Sequence, residues 1–341
     1  MKFLVTGGAG FIGSNYLHYV VEKYPSDFFV CLDCLTYAGN YENIIDLEKK
    51  SNYKFIKADI RDNKLIDEIF EKEKFDYVIN FAAESHVDNS INNPILFAET
   101  NITGTLNLLN ACNKMKKIHP ITRYHQISTD EVYGDLPLND LNKSFDENSP
   151  INPSSPYSAS KASADFEVLA FARTFKLPVT ISRCSNNFGP YQFPEKLIPL
   201  AISRALKNEP IPIYGTGQNI RDWIHVYDHN VGVDMIVRNG QNGEIYNIGN
   251  NCEKTTLDVV KFILKELKKP QTLITFVEDR PGHDLRYAIN STKLKNELNW
   301  KCKYIFEEGM RETINWYVDN RKWITNIEND KYRNFKNIYK Y

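Results

Sequence analysis

The stretch Ser128-Thr129-Asp130-Glu131-Val132-Tyr133-Gly134 sets a hydroxyl beside two adjacent carboxylates. Tyr157 and Lys161 follow, four residues apart on a segment that reads as a helix, so they share one helical face a turn apart. A lysine so placed favours the charged form of a neighbouring phenol and lowers its pKa. Tyr157 is then a candidate general base near neutral pH. Taken alone, a Tyr-x-x-x-Lys pair is as readily a surface pair and an Asp-Glu pair a solvated turn. What points them to chemistry is the frame around them.

That frame is an alternation of strands and helices. Residues 2–6 (KFLVT) read as a buried strand, followed by Gly7-Gly8-Ala9-Gly10-Phe11-Ile12-Gly13 and a helix from Ser14 to about Tyr24. In this order, glycines let the backbone approach a pyrophosphate, and the helix N-terminus offers N–H donors and a positive dipole end. The next strand, Phe28–Leu32, ends at Asp33, twenty residues past Gly13. A carboxylate there accepts hydrogen bonds from adenosine ribose hydroxyls and repels a 2′-phosphate, so the expected cofactor is NAD, not NADP. Residues 34–40 hold no Arg to reverse that preference. Further strands read at Tyr53–Lys57, Tyr77–Ala83 and Arg123–Ser128, with helices over 63–73 and 94–117. The expected fold class is α/β: a Rossmann-type doubly wound parallel sheet, with a smaller C-terminal α+β substrate domain. Ligands of such sheets lie beyond the strands' carboxyl ends, so Asp33, Asp59, Ala83 and Thr129-Asp130-Glu131 should face one crevice.

After a proline-rich loop over 134–156, a helix runs from Pro156 to about Phe175 and a sixth strand over Pro178–Cys184. Then the character changes. Asn186 to Leu197 is irregular, polar and aromatic. A helix is expected over 195–207 and another over 255–268, with strands at Ile211–Tyr214, Ile224–Val226, Tyr246–Gly249 and Leu273–Val277. Lys196, Arg221, Arg280, His283 and Arg286 fall on irregular segments and suit a diphosphate. The expected division is a dinucleotide domain over 1–186, rejoined at about 224–250, and a substrate domain over 187–223 and 251–320. Residues 321–341 read as a basic aromatic tail, packed peripherally on the body or partly disordered.

The chain has 341 residues, 42% of them hydrophobic, and a net charge of −1. No global field favours nucleic acid or an anionic membrane. No apolar run is long enough for a membrane span, and MKFLVTGGAG lacks the features of a signal peptide, so a cytoplasmic location is expected. The six cysteines show no disulfide-framework spacing, and Cys31-Leu-Asp-Cys34 lacks the second pair or nearby His that a metal or redox site needs.

These residues resemble the extended short-chain dehydrogenase/reductase family over nearly all of 1–320. The matching strings are TGGAGFIGS at the start, LTYAGN at 35–40, AAESHVD at 82–88, STDEVYGDL at 128–136, YSASK at 157–161, SNNFGPYQFPEKLIP at 185–199, IRDW at 220–223 and RPGHD at 280–284. Within that family, Thr129-Asp130-Glu131 looks like the pattern of the dTDP-glucose 4,6-dehydratases. Related epimerases carry Ser-Ala or similar there, and decarboxylases and GDP-mannose dehydratases Thr-Ser-Glu. The resemblance implies oxidation at C4 of the sugar, loss of water across C5–C6 and reduction at C6, with NAD kept bound. Tyr157, with Lys161, would take the 4-hydroxyl proton. Glu131 would remove the C5 hydrogen, and Thr129 would hydrogen-bond the ketone. Asp130, protonated, would donate to the departing 6-hydroxyl. A neighbouring carboxylate and a desolvated crevice both raise an acid's pKa, which that role requires.

The resemblance also implies cofactor contacts from Gly7, Gly10, Phe11, Ile12, Gly13, Asp33, Leu35, Thr36, Gly39, Asp59, Ile60, Ala82, Ala83, Ser85, Thr100, Tyr157, Lys161 and Asn187. Ser85, His86, Thr129, Asn186, Glu195, Lys196, Leu197, Pro212, Asn247 and Tyr287 would border the nucleotide sugar. Arg221 and His283 would hold its diphosphate, and Tyr214 would lie by the base. Two positions depart from the pattern: Asn89, where an Arg is expected, and Thr256, where a base-contacting Asn is common. A thymine methyl is worth only ~1–3 kcal/mol of discrimination. UDP-glucose is therefore the alternative substrate, and 4-epimerisation the alternative reaction. The family's usual homodimer would use the helices near 94–117 and 156–175.

Overall fold

The computed structural model describes residues 1–330 except 139, 141, 280 and 281, with side chains to residue 327. The strands are β1 (Lys2–Thr6), β2 (Phe28–Asp33), β3 (Tyr53–Lys57), β4 (Tyr77–Asn80), β5 (Arg123–Thr129), β6 (Val179–Cys184), β7 (Asn186–Phe188), β8 (Ile211–Tyr214), β9 (Ile220–His225), β10 (Ile245–Ile248), β11 (Glu253–Thr255) and β12 (Ile274–Val277). Seven of them make one sheet in the order β10-β6-β5-β4-β1-β2-β3, every pairing parallel. The inner strands β1, β2, β4, β5 and β6 are buried almost throughout, as helix-covered parallel strands must be, while the edge strand β3 is only partly buried. The order reverses at β1, which has β2 on one side and β4 on the other. The crevice of a doubly wound sheet opens at that point. The remaining strands form two small sheets, β11-β9-β7 and β12-β8.

Local signals set the helices that matter. Asp62 caps the Asn63–Glu73 helix by accepting from Leu65 N at 3.0 Å. Ser155 and Ser158 form a capping box on the Pro156–Phe175 helix, with Pro156 in its first turn. Its buried face reads Tyr157, Lys161, Ala164, Val168, Phe171, a helical repeat whose apolar part clamps the helix to the sheet. The clamp holds Tyr157 and Lys161 at the crevice end.

Several elements differ from expectation. The run 94–117 is not one regular helix: Pro94–Phe97 and Gly104–Met115 flank a π-helical turn at Ala98–Thr103. The strand expected at Ile224–Val226 is β9, Ile220–His225. His225 Nδ1 then accepts from Tyr227 N at 3.3 Å and starts a helix, Val226–Asn239, that the sequence reading lacks. Its Val233, Ile236 and Val237 share a core with Tyr16, Val20 and Val21 beneath one face of the sheet. In the tail, Arg321–Asp330 is a helix packed on the body. It buries Trp323, Ile324 and Ile327, and Trp323 Nε1 donates to Asn43 Oδ1 at 2.8 Å. Tyr332, Phe335, Tyr339 and Tyr341 lie outside the described residues. No described helix is long and apolar enough to cross a membrane.

Trp300 packs against the Val226–Asn239 helix. It is 1% exposed, donates to Asp228 O at 3.1 Å and packs on Gly232. Trp300→Ala should cost roughly 3–5 kcal/mol through the cavity it leaves, read as a fall in the thermal midpoint.

Candidate active site

One crevice collects the residues at the ends of β1–β6. Every residue expected at the cofactor stands on its wall except Leu35. Leu35 acts one step back: its N–H donates to Asp33 Oδ1 at 2.8 Å, while Ala9 N donates to Oδ2 at 3.0 Å. The carboxylate is thereby aimed from the end of β2. Gly7 has φ +66, and a Cβ there would lie 2.6 Å from Ala82 N. A Cβ on Gly13 would lie 2.4 Å from Gly7 O. Only glycine permits this turn, and Gly10 leaves the N-terminus of the Phe11–Lys23 helix without a side-chain cap. Unfilled N–H donors, a glycine cradle and an acid at the next strand end fit a dinucleotide.

β5 delivers the acids. Asp130–Tyr133 make a short 3-10 turn at its end. Thr129 Oγ1 accepts from Glu131 N at 3.3 Å and donates to Asp130 Oδ1 at 3.4 Å. Asp130 is buried and its Oδ2 has no hydrogen-bond partner. Burial raises its pKa well above the usual carboxylate range; Glu131 and Asp222 add to this and Arg221 opposes it. Burial and the neighbouring carboxylates thus favour the protonated form of Asp130, the direction expected of an acid.

The expectation for Tyr157 needs correction. Burial first, then the charge of Glu131, pushes its phenol well above 10. Lys161 does not reverse this. Its Nζ donates to Ile127 O at 2.6 Å, and burial lowers its own pKa, with Asp165 opposing. Desolvation and two carboxylates outweigh one ammonium whose charge is itself disfavoured. Beneath the same helix, Asp165 Oδ2 accepts from Ser128 Oγ and from Arg183 Nε, both at 3.0 Å.

The opposite wall carries Ser85, Asn186, Asn187, Glu195 and Lys196. Lys196 Nζ donates to Ser85 O at 3.2 Å, and His86 Nε2 lies 3.9 Å from Glu195 Oε1. Leu197 opens the helix that follows. Burial raises the Glu195 carboxyl to about 7, with Lys196 opposing. A raised acid destabilises the folded chain as pH rises from the ordinary value of 4.5 through about 7. Glu195→Gln lacks that loss. Without ligands it should be the more stable chain above pH 7, by up to roughly 3 kcal/mol. The two thermal midpoints should converge as pH falls toward 4.5.

Beyond the wall, Arg221 stacks on Tyr287 at 4.3 Å and donates to Asp284 O at 3.0 Å. Tyr214 OH donates to Asp88 Oδ2 at 3.3 Å and meets His283 edge-on at 6.2 Å, and His283 Nδ1 is 2.6 Å from Asp279 Oδ1. Pro212 sits on β8 opposite Thr275, off the wall. Two expectations are corrected. Asn247 is fully buried in β10, where it accepts from Tyr133 OH at 2.9 Å and donates to Phe145 O at 3.2 Å. Arg286 is fully buried and clamps Glu253 with bonds of 2.5 and 2.8 Å. Both side chains are consumed by the fold. Arg280 lies outside the described residues.

Sequence reading missed Asn101. The π turn swings its carboxamide inward, where Oδ1 accepts from Glu84 N at 2.9 Å. Nδ2 donates to Glu84 O at 3.0 Å and Ser160 Oγ at 2.8 Å. It ties the exit of β4 to the helix of Tyr157. Nothing in AETNITG shows this, because a π turn has no composition of its own.

A switch-point crevice with a glycine turn, and a Tyr-x-x-x-Lys helix beneath an acid pair, defines a nucleotide-sugar-modifying class of dehydrogenase-like proteins. The model of the GDP-mannose 4,6 dehydratase family matches residues 4–313, and the chain belongs to that family. Within it the chain sides with the dTDP-glucose 4,6-dehydratases. The one from Salmonella typhimurium is 48% identical over 355 residues, 98% of each chain. The dTDP-glucose 4,6-dehydratase of Bacillus anthracis, solved in complex with NAD, superposes with a TM-score of 0.87 at 45% identity, covering 96% of this chain and 99% of that one. DesIV, the dTDP-glucose 4,6-dehydratase of Streptomyces venezuelae, solved with NAD bound, gives 0.91 at 40% identity, covering 96% and 100%.

Proposed function

We propose that this protein carries out the NAD-dependent dehydration of dTDP-glucose to dTDP-4-keto-6-deoxyglucose, a step in deoxysugar and surface-polysaccharide biosynthesis in the cytoplasm. The observation that carries the reading is the buried Asp130 beside Glu131 at the end of β5, lining one crevice with Tyr157 and Lys161. Nearly half-identical relatives of that name support it. The glycine turn and Asp33 would hold NAD, which would supply a hydride acceptor for C4 and donor for C6 and a positive charge near the Tyr157 phenol.

The chain's own residues move the protons. Tyr157 takes the proton of the 4-hydroxyl as C4 is oxidised. The C4 ketone, hydrogen-bonded by Thr129, acidifies C5, and Glu131 takes that proton. Asp130 gives its proton to the 6-hydroxyl, which leaves as water. Glu131, once its proton has exchanged with solvent, then protonates C5. Ser85, Asn186, Glu195 and Lys196 hold the sugar side, and Arg221, His283 and Tyr214 the diphosphate and base. Residues 187–223 and 251–320 act as the nucleotide-sugar lobe on the dinucleotide domain. Exposed Ile91, Ile95 and Phe166, on neighbouring helices, suit a second copy of the chain, so the working form is a homodimer. No nucleic-acid or membrane partner is part of this reading.

Incubation with dTDP-glucose in D₂O tests it. The product should have lost one water and carry solvent deuterium at C5. Intact substrate, or inversion at C4 without loss of water, would sink the reading. UDP-glucose run in parallel should turn over more slowly.

A further inference from the structure

Behind Asp130, three buried oxygens have no hydrogen-bond partner: Asp130 Oδ2, Ser185 Oγ and Asp222 Oδ2. The strand registers set their residues side by side. Thr129 pairs with Cys184 across β5 and β6, and Asp130 and Ser185 are the next residues along. Asn186 pairs with Trp223 across β7 and β9, and Ser185 and Asp222 are the residues just before. Ser185 lines the crevice with Asp130, and its hydroxyl is near enough to Asp222 to act on that carboxylate. Exposures are 2%, 3% and 0% along this row. Buried oxygens left unbonded each cost roughly 1–3 kcal/mol, so such a row calls for an explanation. Asp222 is held by Cys252 N at 2.6 Å. Asp222 also stands on the wall of a second cavity of about 340 Å³, with Asn142, Ser144, Asn251 and Asn290.

The proton balance of the reaction supplies that explanation. In each turnover Tyr157 gains the proton of the 4-hydroxyl. Glu131 delivers one proton for the one it takes. Asp130 loses a proton to the departing water and must regain one, although it is only 2% exposed and faces the crevice that the sugar fills during turnover. Resting on the reading above, we propose that Asp222, through the Ser185 hydroxyl, returns a proton to Asp130 after each elimination and is refilled from water in the second cavity. The O–H bond of the Asp222 carboxyl breaks as Ser185 Oγ accepts, Ser185 passes its own proton to Asp130 Oδ2, and the Asp222 carboxylate then takes a proton from solvent. Tyr157 sheds its extra proton through the crevice as product leaves, so the cycle closes without net charge. Burial lifts Asp222 to about 6, which lets it carry a proton part of the time near neutrality. The groups around the row include Glu131, Arg221, Tyr157 and Cys184 beside Asp130, and Glu253, Cys252 and Cys302 beside Asp222.

Asp222 and Ser185 are positioning residues here, and the full chain with its cofactor tests them. Asp222→Asn and Ser185→Ala should form the first equivalent of keto-sugar from dTDP-glucose at close to the parental rate in a rapid-quench experiment. Later turnovers should be roughly tenfold slower or more. Ser185→Thr, which keeps a hydroxyl, should behave as the parent. Added imidazolium should speed the later turnovers of Asp222→Asn and leave the parent unchanged. First and later turnovers slowed by one common factor, or neither slowed, would overturn the relay. If the Asp222 variant does not fold, the two Ser185 variants decide. A parent protein that leaves dTDP-glucose intact would instead refute the underlying reading.

Discussion

Asp130→Asn is expected to slow the loss of water by roughly 10²–10⁴-fold while leaving oxidation at C4 running. Asn fills the same volume and can keep the contact with Thr129 Oγ1, which is only 3.4 Å long in the parent. It has no proton of the right acidity to give. Burial and the charge of Glu131, the main influences that raise the Tyr157 phenol, are untouched by the substitution. The base is therefore little changed. Substrate should enter, be oxidised and stop, and reduced cofactor should build up. Stopped-flow absorbance of the reduced nicotinamide reads this directly. Unchanged turnover with no build-up would remove Asp130 from the role of acid.

Tyr157→Phe should lower kcat/KM by a comparable factor and give the opposite signature, with no reduced cofactor at any time. Its block precedes hydride loss. The fold should survive, because the edge-to-face contact with Phe97 at 6.3 Å needs only the ring. The pH dependence has a definite sign. A phenol raised by burial and by Glu131 is mostly protonated at neutral pH, so C4 oxidation in the parent should quicken as pH rises. Tyr157→Phe should lose that slope. A parent rate for the first step that is flat over pH 6–9 would count against Tyr157 as the base.

The two substitutions bracket the reaction, and both positions were legible from short-range pattern. Tyr157 and Lys161 are a turn apart, and a helical period puts them on one face whatever the rest of the chain does. The capping box at Ser155 and the glycines from Gly7 to Gly13 are equally local, so helix 156–175 and the dinucleotide turn could be placed before any fold was known. Asp33, Asp59 and Thr129-Asp130-Glu131 needed one further rule, that parallel strands present their carboxyl ends to a common crevice. The C-terminal third was less legible. Val226–Asn239 follows a strand with no intervening turn signal, and its start rests on a His225 cap.

The local sequence determined which residues stand at the strand ends, because glycine sterics, helix period and parallel topology act over a few residues or by general rule. It did not determine what those side chains are doing. Asn247 looks like a binding residue until Tyr133, 114 positions away, takes its oxygen. Arg286 looks like a phosphate ligand until Glu253 claims it. The charge states belong to the tertiary structure most of all. Lys161 sits where spacing says it should, yet Tyr157 is pushed up, because a pKa sums burial and every nearby charge. The same sum makes Asp130 an acid, with a contribution from Asp222, a residue that no local pattern connects to it.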